Sequence, residues 1–228
     1  MPLAGCGPTA VAPGQALAES AAQPQPSVVA TQAATSGIPP AASSGRAEAV
    51  RYVLVEGASE ARYRVREQLL GQALPSDAVG STRSVQVGLA LDVEGRLLAG
   101  QSKFTVDLRT LRSNESRRDN YIQGTPLETR RFPLAEFAPT QVNGLSSLQP
   151  PAVEVTFQLL GELTVHGVTR SVTWDVTLRP ASPDLTGTAS TSFALTDFGM
   201  RVPRVGPVLS TEDKVTLELD FLLRPSSG

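Results

Sequence analysis

A period of two runs through this chain from Arg51 onward, and it constrains the fold more than any other feature. SVQVGLALDVEG sets Val85, Val87, Leu89, Leu91 and Val93 on one face and Gln86, Gly88, Ala90, Asp92 and Glu94 on the other, with EGR as a turn. SKFTVDL aligns Phe104, Val106 and Leu108; AVEVTFQL aligns Val153, Val155, Phe157 and Leu159. SVTWDVTL aligns Val172, Trp174, Val176 and Leu178, STSFAL pairs Phe193 with Leu195, and KVTLELDFL aligns Val215, Leu217, Leu219 and Phe221. Side chains of an extended chain point alternately to opposite faces, so each run specifies an antiparallel strand with one face buried and one wet. With YVLVEG, ARYRV and ELTVHG, eight or nine strands are available and the domain is all-β.

One segment breaks the rhythm. RSNESRRDNYIQGTPLETRRF has no alternation, an N-cap candidate at Ser113/Asn114, Glu115 in a first turn, Gly124 where a helix would stop and Pro126 beyond it. These signals predict one short helix at about 114–123. A helical excursion between strands of an antiparallel sheet fits a closed barrel with one mouth covered. At about eight strands, a barrel interior is either filled by side chains or wide enough for one elongated ligand. The pattern alone leaves both open.

The first fifty residues are different in kind. All aromatic residues lie at or after Tyr52, and Gly7 to Gly45 is mostly Ala, Pro, Ser, Gln, Thr and Gly with the single acid Glu19. Such a segment buries too little apolar surface to offset chain entropy, so residues 1–46 are expected to be a disordered tether and 47–228 the folded domain. Leu3-Ala4-Gly5-Cys6 resembles a bacterial lipobox, which implies lipidation at Cys6 and an extracytoplasmic, membrane-anchored protein. Only Met1-Pro2 precede it, so the charged and apolar regions of a signal peptide would have to lie upstream of this sequence.

The net charge of −2 offers no basic field for a phosphate backbone, and nucleic acid is not an expected partner. One Cys and one His allow neither a disulfide framework nor a His/Cys metal site, and no cofactor is expected. The single His166 lies in LTVHGVTRSVTWDV, where VHG reads as a tight hairpin with Gly167 supplying a positive φ. A catalytic His would need a Ser or Cys and an orienting acid, and the chain has no G-x-S-x-G elbow. A contact of His166 with Asp119 or a ligand head group at the barrel rim stays open. Arg112, Arg117-Arg118-Asp119 and Arg130-Arg131 form a basic cluster, read as a solvated helix face or as a contact for lipid head groups. In Asp197-Phe198-Gly199, Phe198 is expected in the core and Gly199 at a bend.

Four stretches in order resemble the YceI family, lipocalin-like proteins of the bacterial envelope. They are RYVLVEGASEARYRV, FTVDLRTLRSNESRRDNYIQGTPLETRRFPLAEF, GELTVHGVTRSVTWDV, and FALTDFGM followed by VTLELDF. Departures from the family pattern are Asn120 in place of a His after Arg118-Asp119, Thr125-Pro126-Leu127-Glu128 in place of an aromatic pair, and Leu195-Thr196 in place of an Arg. The resemblance implies an extended antiparallel lipocalin-like barrel that binds a long apolar lipid, such as a polyisoprenoid or isoprenoid quinone, without catalysing a reaction. The alternative is a solid-core interaction or structural module of the envelope. The expected cavity wall is Phe104, Val106, Leu108, Tyr121, Ile122, Phe132, Phe157, Trp174, Phe193 and Phe221, each of which could equally be plain packing. Arg118, Asp119 and His166 form a candidate polar rim.

Overall fold

The alternating runs become strands of a single antiparallel sheet that closes on itself. The computed structural model describes residues 49–71, 73–203 and 208–226; the expected tether and Cys6 lie outside the described residues. Its strands are β1 (Val50–Leu54), β2 (Glu60–Leu69), β3 (Ser76–Thr82), β4 (Val85–Leu91), β5 (Lys103–Asp107), β6 (Arg112–Ser113), β7 (Leu134–Asn143), β8 (Val155–Val165), β9 (Val168–Arg179), β10 (Leu185–Ala194) and β11 (Val208–Ser226). The helix α1 spans Ser116–Gly124, between β6 and β7.

The ladders reduce to eight staves. β1 pairs with β4 and β2 with β3 in nearly one register, Val53 opposite Gly88 and Ala61 opposite Thr82. β5 and β6 then lie along β4 and β3, Phe104 opposite Val87 and Ser113 opposite Gly80. Thus β1–β2, β3–β4 and β5–β6 are three bent staves, each interrupted where the chain turns a corner. With β7, β8, β9, β10 and the 19-residue β11 they form an up-and-down meander. β11 pairs with β10 on one side and with both β1 and β2 on the other, which closes the barrel; the two-residue β6 pairs with β3 alone.

The meander sorts the connections to two ends. One end, covered by α1, carries the turn 70–75, the segment 114–133, the hairpin tip His166-Gly167 and the segment from Leu195 onward. The opposite end carries 92–102, 144–154, 180–184, the start of β1 and the end of β11. Two apolar clusters fill the interior. Tyr52, Leu89, Leu91, Leu148, Leu178, Leu185 and Leu223 pack toward the open end. Leu108, Leu111, Phe137, Leu163, Phe198 and Met200 pack toward the helix end. Phe104, Leu159 and Trp174 touch both clusters.

Several details differ from the sequence reading. Val93 and Val153 lie outside the strands and are exposed, Val93 because the chain already turns at Asp92. AVEVTFQL and ELTVHG are one continuous strand, β8. The alternation hides β3 because its inward residues are the small Ala78, Gly80 and Thr82; the Tyr63 ring lies where a side chain on Gly80 would stand. The regular pattern of β7 is broken by a register shift between Pro139 and Gln141. The helix starts at Ser116 rather than 114, because Glu115 and not Ser113 or Asn114 caps it, its carboxylate accepting from Arg117 N at 3.1 Å. Ser113 belongs to β6 instead.

Candidate functional site

Inside the barrel, alternation on β5, β7, β8 and β9 turns Phe104, Phe137, Leu159, Leu163 and Trp174 toward the axis, around a cavity of about 120 Å³. Val106, Leu108 and Leu111 complete its apolar wall, with Tyr63 from β2. The aromatic side forms a chain, with ring centroids 6.0 Å apart for Phe104 and Phe137 and 5.8 Å for Phe137 and Trp174. A second cavity of about 50 Å³ lies toward the open end, among Leu89, Phe157, Val176, Leu178 and Phe221. Phe104, Leu159, Ala189 and Leu219 line both cavities, so these four side chains form the partition between them.

Polar groups are few and placed at the helix end. The indole Nε1 of Trp174 is buried without a hydrogen-bond partner, the one such side-chain atom among the described residues. An unmet donor of this kind costs about 1–3 kcal/mol. Glu67 points inward near the end of β2 and is buried; Arg118 of α1 donates to its Oε1 at 2.9 Å and to Asn114 Oδ1 at 3.0 Å. Asp119 accepts from the backbone and hydroxyl of Ser113 at 2.9 and 2.7 Å. The helix is thereby latched to β2 by an ion pair and to β6 by a carboxylate. Burial pushes the Tyr63 phenol up to about 12, an effect opposed by the Arg118 charge and reinforced by Asp119 and Glu67.

His166 is held as a turn residue. It has φ +53 and Gly167 φ +73, the two positive values that a two-residue type I′ hairpin needs. Its Nδ1 lies 3.3 Å from the carbonyl oxygen of Phe198 and its Nε2 3.3 Å from Glu128 Oε1. The Phe132 ring stands edge-on to the imidazole, centroids 4.8 Å apart, and closes over Gly167. Both ring nitrogens are engaged, neither by a hydroxyl or thiol, and the carboxylate that His166 meets is Glu128, not Asp119. The three polar residues expected at a common rim therefore divide into two places: Arg118 and Asp119 under the helix, His166 against Glu128.

Of the ten expected wall residues, Phe104, Val106, Leu108 and Trp174 line the larger cavity, and Phe157 and Phe221 line the smaller. Tyr121, Ile122, Phe132 and Phe193 line neither. Tyr121 and Ile122 are half-buried on the covering helix, Phe132 packs on the His166 hairpin, and Phe193 stacks on Phe198 at 4.5 Å. The sequence reading omitted Phe137, although Ala135 and Phe137 alternate in LAEFA before Pro139. It also omitted Ala189, whose small side chain gives no signal of its own.

Residues 52–223 match the model of the YceI-like domain. The chain belongs to the YceI family. A UPF0312 protein of Pseudomonas putida is 34% identical over 129 residues, 53% of this chain and 60% of the relative. One from Pseudomonas fluorescens is 35% identical over 121 residues, 49% of this chain and 58% of the relative. The aligned region thus spans about 60% of the length of these relatives. Two solved structures share the fold. Burkholderia cenocepacia BcnA has TM-score 0.57 and 15% identity, covering 74% of this chain and 98% of its own. A polyisoprenoid binding domain from Saccharophagus degradans, implicated in plant cell wall breakdown, has TM-score 0.58 and 12% identity, covering 77% and 98%.

Proposed function

We propose that the barrel binds the chain of a long apolar lipid, of polyisoprenoid or isoprenoid-quinone type, as a non-enzymatic carrier or store. The observation that carries this reading is the pair of adjoining apolar cavities along the axis, divided by only four side chains. Each methylene moved from water into such a wall is worth about 0.8 kcal/mol, so a long chain needs no polar recognition to bind. A cavity of about 150 Å³ accommodates a benzene-sized molecule. Even merged, the two spaces hold little more than that, so a long lipid enters only when Phe104 and Leu159 swing aside and the wall around them widens as well. A quinone oxygen would also offer the Trp174 N–H an acceptor. The polyisoprenoid binding named for the Saccharophagus domain supports the ligand class.

The modest volumes favour one second reading, a solid-core interaction module of the envelope. Native mass spectrometry and thermal melts with an added isoprenoid quinone separate the two. Lipid binding predicts a retained adduct and a raised melting temperature, both lost in Ala189→Phe, which fills the partition. A wild-type chain that yields no adduct and melts unchanged supports the solid core. We further take the protein to act in the bacterial cell envelope, anchored through Cys6, on the strength of LAGC and the tether composition. Acylated Cys6 peptide in protein from a bacterial host is the corresponding measurement.

A further inference from the structure

The arginines at the two ends of the barrel are treated differently. At the open end each is engaged: Arg96 with Asp92 and Glu94, Arg179 with Glu154, Arg224 with Asp184, and Arg51 with Gln101. At the helix end, Arg130 and Arg201 are exposed and have no acidic partner among the described residues. They line a surface groove of about 910 Å³ together with Arg131 and with Arg109, which is itself paired with Asp107 at 2.7 Å. Glu128 is its single acid, and it is turned toward His166. Arg131 rests on the Phe132 ring, 4.8 Å from its centroid, which leaves its charge unneutralised. In a chain of net charge −2, Arg130, Arg131 and Arg201, none with an acidic partner among the described residues, against one acid make a local field that the average composition does not suggest.

A second, independent feature sits at the same end. The β2–β3 turn carries Leu70 and Leu74, 68% and 77% exposed, the two most exposed large apolar side chains among the described residues. The turn lies at the same end of the barrel as these guanidinium groups. Cations that bind headgroup phosphates, with exposed leucines that enter the acyl boundary, are the two components of interfacial membrane binding. A free-phosphate site would use the arginines and leave the leucines without a role.

We propose that the helix-covered end is a docking surface for an anionic phospholipid bilayer. Arg130, Arg131 and Arg201 face the headgroup phosphates, and Leu70 and Leu74 enter the interface. The docking surface lies outside the barrel and stands apart from the lipid-binding reading of the cavities. An occupied barrel would nonetheless meet the membrane at its helix-covered mouth.

The test is co-sedimentation of the full, unacylated chain with phosphatidylcholine vesicles, with and without phosphatidylglycerol. Binding is expected only with phosphatidylglycerol and should fall steeply with salt. Removing each arginine weakens partition about five-fold, so Arg130→Gln with Arg201→Gln lowers it by more than ten-fold. Leu70→Ser with Leu74→Ser also lowers it, while Arg224→Gln at the open end leaves it unchanged. Ala189→Phe retains vesicle binding, which keeps this outcome separate from any failure of the cavity. Docking is overturned if phosphatidylglycerol vesicles are not bound, or if the Arg130/Arg201 variant binds like wild type. It is equally overturned if millimolar inorganic phosphate abolishes binding that sodium chloride of equal ionic strength leaves intact, which would mark a small-anion site.

Discussion

Toward the open end, the barrel interior is filled mostly by aliphatic side chains, Leu89, Leu91, Leu178, Leu185 and Leu223, with Tyr52, Phe157 and Phe221 set among them, around a cavity of about 50 Å³. Toward the helix end the filling is Phe104, Phe137 and Trp174 with Tyr63, around about 120 Å³, under a helix latched by Arg118 and Glu67. The difference follows from shape. Around the larger cavity Phe104, Phe137 and Trp174 adjoin one another as a chain of rings, whereas the rings toward the open end are set among branched aliphatic side chains that interdigitate closely. One half of the barrel is accordingly the more tightly packed, and the other holds the larger cavity.

Substitutions break or sharpen that contrast. The largest effect belongs to the packed half: Leu185→Ala, at 1% exposure, should cost about 3–5 kcal/mol in urea unfolding. Leu108→Ala, whose side chain already borders the larger cavity, should cost less, about 2 kcal/mol. Equal losses at the two positions would erase the distinction between the halves. Next comes the latch. Arg118→Ala leaves the buried Glu67 carboxylate without its cation and should cost about 2–3 kcal/mol, with hydrogen exchange accelerated first in α1.

The pH dependence belongs to the same half. The fold holds the Tyr63 phenol neutral, so its folded value is raised above the unfolded one near ~10. Its stabilising contribution is therefore whole below that unfolded value and is lost as pH rises through about 12. Stability measured across the alkaline range should fall less steeply in Tyr63→Phe, and the last phenolate absorbance step should disappear. The smallest effect is at the hairpin: His166→Asn keeps a residue tolerant of positive φ and gives up only the contacts to Phe198 and Glu128, about 1 kcal/mol or less. A large loss there would assign His166 more than a turn role.

The sequence by itself determined the all-β class, the inward faces of the strongly alternating strands, the interrupting helix and the His166-Gly167 hairpin. Each of these is dictated by local chemistry: side-chain period, capping groups and permitted φ. Local chemistry also marked Phe198 for the core and Gly199 for a bend, where it has φ +68. What only the tertiary structure decided is everything that depends on which staves are neighbours. β3 became a stave through small residues that make room for Tyr63, and Phe137 joined Phe104 and Trp174 because β7 lies between β5 and β8. Ala189 acquired importance only by standing beside its cross-strand neighbour Leu219, with Phe104 and Leu159, at the boundary of two cavities. Arg118 found Glu67, 51 positions away, and His166 found Glu128, 38 positions away. Such pairings arise from closure of the sheet, a property of registers and curvature that no single stretch of the chain contains.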